Sequence, residues 1–413
     1  MKTCSGDPGL TLVLLFLVSL LGEVDYQIIP PLLPLVAATF HVQPAYVGRA
    51  VPVYSISAGV FSLLFGCLSD QFGRKPFIKY GLLGFSVASL LTCLAGSMEL
   101  LFVARFLTGM TTGALATCAT SYAADAFHYE KRGQAMGILS GAYFTAAILG
   151  VPVASTIAAR SGWRPIFLVV SGLAVFAALL VSKFLETNAH GSRSPLPQER
   201  LNLARIKKMT VASLKNRGTA AILWASLLSS GAIVAFITYL GSHLNGHLHV
   251  PIQRVGLVFL WAGVASLIGA PLSGVLSDQW GKKTVLIVSG IVLAACLFVL
   301  PRLSWDLWLL GVLGLAGLAI AFRMAPFLAI ITELVSPQQR GTLLAVRNTL
   351  SQLGIAASTW VSSYCYLYWG YPAVGLFSAS LIAASTLVVL FLVVEPNQQR
   401  RTEGSSPPIP VLN

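Results

Sequence analysis

Long apolar runs separated by short polar breaks dominate the chain. A helix that crosses a bilayer needs about 20 mostly apolar residues. Twelve stretches meet that length, at roughly 10–38, 46–69, 77–96, 99–124, 134–158, 164–185, 218–243, 254–277, 284–301, 305–333, 342–367 and 371–394. The first carries Glu23 and Asp25 in its middle and has no small-residue cleavage site, so it reads as a retained helix. Only residues 187–217 break the pattern at length. The prediction is an all-α integral membrane protein with twelve transmembrane helices.

The pattern repeats. Gly66-Cys67-Leu68-Ser69-Asp70-Gln71-Phe72-Gly73-Arg74-Lys75 aligns with Gly274-Val275-Leu276-Ser277-Asp278-Gln279-Trp280-Gly281-Lys282-Lys283, an offset of 208. Arg132-Gly133 with Arg340-Gly341, Asp125 with Glu333, and Gly162 with Gly370 share that offset. Glu186 and Glu395 close the two halves at 209. The chain therefore divides into two six-helix bundles, 1–186 and 218–413, joined by the linker 187–217. An even number of spans per half makes them parallel repeats about an axis along the membrane normal, the plan of two-bundle secondary transporters.

Composition then removes alternatives. Of 413 residues, 56% are hydrophobic and only 10% charged, against about 25% charged in soluble proteins. The net charge of +13 is not a nucleic-acid signal, because cytoplasmic loops collect Lys and Arg. With the N-terminus inside, 19 of the 27 basic residues fall on the cytoplasmic side, which sets both termini there. The basic linker reads as a helix lying on anionic headgroups. Cysteines 4, 67, 93, 118, 296 and 365 form no pair motif, so no disulfide framework or zinc site is expected. His243, His247 and His249 read as a wet loop rather than a metal site. No phosphate-binding glycine loop or nucleophile triad is present, so neither an enzyme nor ATP drive is expected, and no cofactor. The expected partners are a small-molecule substrate, protons and the lipid bilayer, with the chain acting as a monomer.

Charges inside the spans are few enough to weigh singly. A carboxylate at the bilayer centre costs about 3 kcal/mol on insertion scales. Glu23 and Asp25 both lie there, about 200° apart around the helix, so one faces a cavity and the other a neighbouring helix. Pro30 and Pro31 follow and leave the carbonyls of Tyr26 and Gln27 without their helical donors. Asp25 is the first candidate for the proton-coupling carboxyl and Glu23 the second. A structural ion pair between Asp25 and Arg105 is the rival reading, and a mobile pair would couple protonation to conformation. Arg323 has no repeat partner, since position 115 is Leu. It is a candidate for an anionic or polyhydroxy substrate, against snorkelling or pairing with Glu333. Arg347 reads as a headgroup or Glu333 contact. Of the aromatics, Tyr26, Tyr54 and Trp360 are the cavity candidates, ahead of Trp224, Phe236, Tyr239, Trp261, Phe322 and Tyr364.

Taken together, these motifs resemble the major facilitator superfamily over nearly the whole chain. Gly66–Lys75 is similar to its G-x-L-x-D-x-x-G-R-K/R loop, and Arg105-Phe106-Leu107-Thr108-Gly109 to its R-x-x-x-G of helix 4. Asp25 followed by Pro34 resembles helix 1 of proton-coupled exporters. Gly150-Val151-Pro152, then Gly162-Trp163-Arg164, resembles the sugar-efflux-like branch beside the twelve-helix drug:proton antiporters. The helix 5 antiporter signature is altered: Val151 splits Gly150 from Pro152, and Ala154-Ser155 replace a glycine pair. The resemblance implies alternating access in a bacterial inner membrane. It gives Gly66, Asp70, Gly73, Arg74, Lys75, Asp125, Arg132, Asp278 and Gly281 a conformational role, with Asp70 latching near Thr342. The implied activity is proton-coupled efflux of a drug, sugar or organic anion. Uptake by proton symport is the alternative, and a non-transporting polytopic sensor the more distant one.

Overall fold

The computed structural model describes residues 8–127, 129–186, 217–333 and 340–393. The linker expected at 187–217 lies almost wholly outside the described residues, as do the basic tail, Glu395 and the side chains of Asp70, Glu333, Arg340 and Thr342. No strand occurs among the described residues.

The helices of the first half are α1 (Pro8–Phe40), the short α2 (Pro44–Gly48), α3 (Ala50–Phe72), α4 (Arg74–Cys93), α5 (Met98–Ala126), α6 (Tyr129–Thr145), α7 (Val151–Ser161) and α8 (Arg164–Phe184). A π-helical turn, Ala146–Gly150, joins α6 to α7 within one span. The second half contains α9 (Arg217–Gly246), α10 (Ile252–Trp280), α11 (Lys282–Val299), α12 (Leu307–Glu333), α13 (Arg340–Trp369) and α14 (Tyr371–Leu392). Among the described residues, eleven spans have the length and hydropathy of a membrane crossing. The twelfth, α13, is 30 residues long but less apolar. It buries Ser351, Ser358, Thr359, Ser362 and Ser363 against other helices, so its sequence reflects protein contact rather than lipid contact.

The repeat is visible in the backbone. Gly73 (φ 91°) and Gly281 (φ 87°) each form the whole connection between two helices. A side chain is strained at such φ, which explains why the loop motif carries glycine there twice. Gly162 and Gly370 recur likewise at φ 79° and 73°.

In the first half α5 packs on α3 and α4, α4 also on α8, and α1 runs beside α5, α6 and α8. The second half repeats this plan, with α12 on α10 and α11, α11 also on α14, and α9 on α13 and α14. Close approach uses small residues, as expected where lipid gives helices little hydrophobic drive to associate. Cβ atoms at Gly109 and Gly113 would strike the backbone of Tyr54 and Ala58 on α3. The halves meet through α1 on α9, α3 on α13, and α7 on α10. Pro30, Pro31 and Pro34 lie inside α1 without ending it. The Pro30–Pro31 backbone instead packs against Gly241 of α9.

Candidate functional site

Between the halves lies a partly open cavity, about 1050 Å³ with the open space at its mouth included. From the first half, Tyr26, Gln27, Pro30, Val51, Tyr143, Phe144 and Ala147 line it. The second half contributes Ile233, Phe236, Ile237, Thr238, Phe259, Ser266 and further aliphatic residues of α9, α10 and α12. No charged residue lines it. Gln27, Thr238, Ser266 and two tyrosines supply its few polar groups.

Helix α1 sorts its two acids onto different sides. Asp25 is fully buried and faces α5, where Arg105 donates to it from Nη1 to Oδ2 at 2.9 Å and from Nη2 to Oδ1 at 3.3 Å. Arg105 Nη2 also donates to Thr92 Oγ1 of α4 at 2.8 Å. The guanidinium carbon lies 5.2 Å from the centre of the Phe167 ring on α8. One arginine thus joins four helices, at 2% exposure. Glu23 is partly buried and faces Gln27 one turn on. Gln27 Nε2 donates to the Tyr143 carbonyl at 3.0 Å. Tyr26 stacks on Tyr54 with centroids 5.3 Å apart, so Tyr54 backs the cavity wall while Tyr26 forms its surface.

Arg323 is placed differently from the sequence expectation. It is 1% exposed and absent from the cavity wall. Nε donates to Ser229 Oγ at 3.0 Å, Nη1 to the Leu286 carbonyl at 2.9 Å, and Nη2 to Ser385 Oγ at 3.0 Å. These partners belong to α9, α11 and α14, the repeat equivalents of α1, α4 and α8. Each half is therefore bridged by a buried arginine across the equivalent four helices, but at different depths, since Arg323 corresponds in the repeat to position 115 rather than 105. Among the described residues only the first has a carboxylate in its set. Arg347 Nε donates to Ser226 Oγ of α9 at 2.8 Å, a contact not expected from sequence.

Trp360 is likewise away from the cavity. It is 44% exposed and sits 5.5 Å from the guanidinium of Arg49. Phe236 is on the cavity wall; Trp224 and Trp261 are exposed. Buried His243 stacks on Tyr371 at 4.5 Å and on His247 at 5.3 Å. No cluster of three metal-ligating side chains occurs among the described residues.

In the loop motif, Arg74 Nε pairs with Asp125 Oδ2 at 2.5 Å, and Nη1 reaches Ser69 Oγ at 3.4 Å. A Cβ at Gly66 would come within 3.1 Å of Thr117, so the glycine sets the approach of α3 to α5. Lys75 is half-exposed, and Arg132 and Asp278 are exposed. The expected Asp70–Thr342 contact lies outside the described side chains. Sequence reasoning missed Thr92, Gln27 and Tyr143. Thr and Gln on such helices have no distinguishing pattern; the one signal that could have found Gln27 is its spacing of one helical turn from Glu23.

Comparison with known proteins agrees with this architecture. A family model described as Major Facilitator Superfamily matches residues 15–251 and 222–412. The uncharacterized MFS-type transporter YceJ of Bacillus subtilis is 24% identical, over 86% of this chain and 88% of its own length. The multidrug resistance protein MdtG of Enterobacter lignolyticus is also 24% identical, covering 92% and 90%. The class H tetracycline resistance protein of Pasteurella multocida is 22% identical, covering 87% and 90%. Among solved structures, the D-xylose-proton symporter superposes with a TM-score of 0.75 at 18% identity, covering 94% of this chain and 98% of that one.

Proposed function

The chain belongs to the Major Facilitator Superfamily, and on that premise we propose that it is a proton-coupled exporter of apolar small molecules working by alternating access. The two halves rock about the cavity between them. The observation that carries the coupling is the Asp25–Arg105 pair, buried beside the cavity wall and formed between α1 and α5.

Its chemistry supports exchange of a proton for a conformational change. While Asp25 is ionised, the pair is neutral as a unit and holds α1 against α5. Protonation removes the charge that Arg105 requires and leaves a buried guanidinium facing only neutral side-chain acceptors, Thr92 Oγ1 and the carbonyl oxygen of the acid. A buried cation that loses its counter-ion is costly, so α1 and α5 are driven to another arrangement. Tyr26, on the same helix as Asp25, carries that movement to the cavity wall.

The cavity favours one of the expected substrate classes. With Arg105 and Arg323 both held inside their bundles, no guanidinium is offered to an organic anion. A sugar would leave many hydroxyls facing Ile233, Ile237, Phe259 and their neighbours. An apolar, drug-sized molecule fits this lining, and the resistance proteins among the relatives agree with export. The Lys and Arg bias supports a cytoplasmic location for the 66–75 loop and the termini in a bacterial inner membrane.

Proteoliposomes with an imposed pH gradient and a panel of drugs, sugars and organic anions test this. Asp25→Asn should abolish gradient-driven flux and retain substrate exchange. Glu23→Gln should have the weaker effect. The placement of Glu23, with Gln27 rather than a cation beside it, favours a second reading in which Glu23 carries the proton. Abolished coupling in Glu23→Gln with normal coupling in Asp25→Asn would establish that alternative.

A further inference from the structure

The face opposite the 66–75 loop is closed by a second repeated element. His41-Val42, then Val47-Gly48, recurs as His249-Val250, then Val255-Gly256, at the offset of 208. His41 and His249 both adopt positive φ, 54° and 53°. Each element ends in a glycine that presses on the opposite half. A Cβ at Gly48 would strike the Tyr239 ring of α9, and one at Gly256 would lie 2.7 Å from Ser155 Cβ of α7.

The partners are related too. Ser155 and Ser363 stand 208 residues apart. Gly256 packs on Ser155, whereas the stretch around Gly48 packs on Ser363. Their chemistry differs. Ser363 accepts from Arg49 Nε at 3.1 Å and donates to the Ala45 carbonyl at 3.0 Å. Arg49 also lies over Tyr46, Trp360 and Tyr364, at 5.3, 5.5 and 5.1 Å from the ring centres. The contacts with Trp360 and Tyr364, on α13 of the other half, favour the closed arrangement. On the other side Leu257 takes the place of Arg49, and the buried Ser155 Oγ has no hydrogen-bond partner.

We propose that these repeat-related contacts are a latch and a pivot: Arg49 and Ser363 bolt this face shut, and Gly256 turns on Ser155 when the bolt releases. A polar contact must be broken for the face to part. A contact between small residues slides without a hydrogen bond having to break. The inference rests on alternating access, and goes beyond it by naming what holds one face closed and about which line it opens.

Hydrogen–deuterium exchange on the full chain in nanodiscs tests it, reading the 41–50 and 363–369 peptides on one face and the 66–75 loop on the other. Arg49→Gln and Ser363→Ala should each raise exchange severalfold on the first face and lower it in the loop. Ser155→Ala should change neither. Gly256→Ala should slow transport, and Ser155→Gly added to it should restore the rate. No rise on the first face in either latch variant would overturn the latch while leaving alternating access intact. A rise without the reciprocal fall would reduce it to a local contact and count against alternating access. An equal response in Ser155→Ala, or no rescue by Ser155→Gly, would overturn the division into latch and pivot.

Discussion

Deleting either member of the Asp25–Arg105 pair should destabilise the protein more than deleting both would suggest. Asp25 is 0% and Arg105 2% exposed, so solvent does not screen their interaction. Asp25→Ala leaves the guanidinium buried with Thr92 Oγ1 as its remaining side-chain acceptor. Arg105→Ala leaves a carboxylate in the bundle core with no cation. Removing one partner of a buried pair costs about 3–5 kcal/mol, and each single variant should lose that much. The double variant has no uncompensated charge, and its loss comes from packing against Phe167 and from the Thr92 contact. The coupling energy should therefore lie near the upper end of the roughly 0.5–3 kcal/mol seen for residues in contact. Reversible unfolding in mixed micelles at several detergent compositions, applied to all four proteins, measures it. If the single losses sum to the double loss within about 0.5 kcal/mol, the two side chains do not act as a unit, and the coupling scheme built on them fails.

The loop pair should behave in the opposite way. Arg74 and Asp125 are 14% and 30% exposed, so Asp125→Asn should cost less than about 1 kcal/mol, while slowing turnover in proteoliposomes without weakening substrate binding. Arg323→Lys should destabilise the protein by about 1–3 kcal/mol, because an ammonium cannot reproduce the planar fork that reaches Ser229, Leu286 and Ser385. Substrate affinity, measured by equilibrium binding, should stay unchanged, since Arg323 does not line the cavity; a large affinity loss with intact stability would contradict that placement.

Legibility in the sequence varied with the kind of physical constraint. The loop motif was readable because a one-residue connection at positive φ requires glycine, and the requirement appears twice, at Gly73 and Gly281. Pairing of Arg105 with Asp25 was foreseeable because charges are so scarce in the spans that any two within reach are expected to meet. The surroundings of Arg323 were not. Ser229 and Ser385 look like any other serine of an apolar helix, and the Leu286 carbonyl leaves no trace in sequence at all. The facing of Tyr54 and Trp360 was hidden for another reason. These helices are apolar on nearly every side, because lipid and protein neighbours demand similar side chains, so periodicity does not separate a cavity-facing ring from a lipid-facing one. Residue depth was more readable than residue azimuth.

Among the described residues no acid reaches Arg323, and this has an electrical consequence. The first half buries a guanidinium and a carboxylate together, and its buried charge is zero when Asp25 is ionised. Among the described residues, Ser229, Leu286 and Ser385 hold Arg323 without cancelling its charge, so Arg323 gives the second half a fixed positive charge within the membrane, nearer the Glu333 end of α12. When the halves rock, that charge moves through the transmembrane field. Carrying one charge across the whole field is worth about 2.3 kcal/mol per 100 mV, so displacement through a tenth of it is worth about 0.2 kcal/mol. The two orientations of the empty carrier should therefore be weighted by membrane voltage even without a pH gradient. Varying a potassium–valinomycin potential at equal pH on both sides should shift the exchange pattern of the two faces, and Arg323→Gln should remove most of that shift.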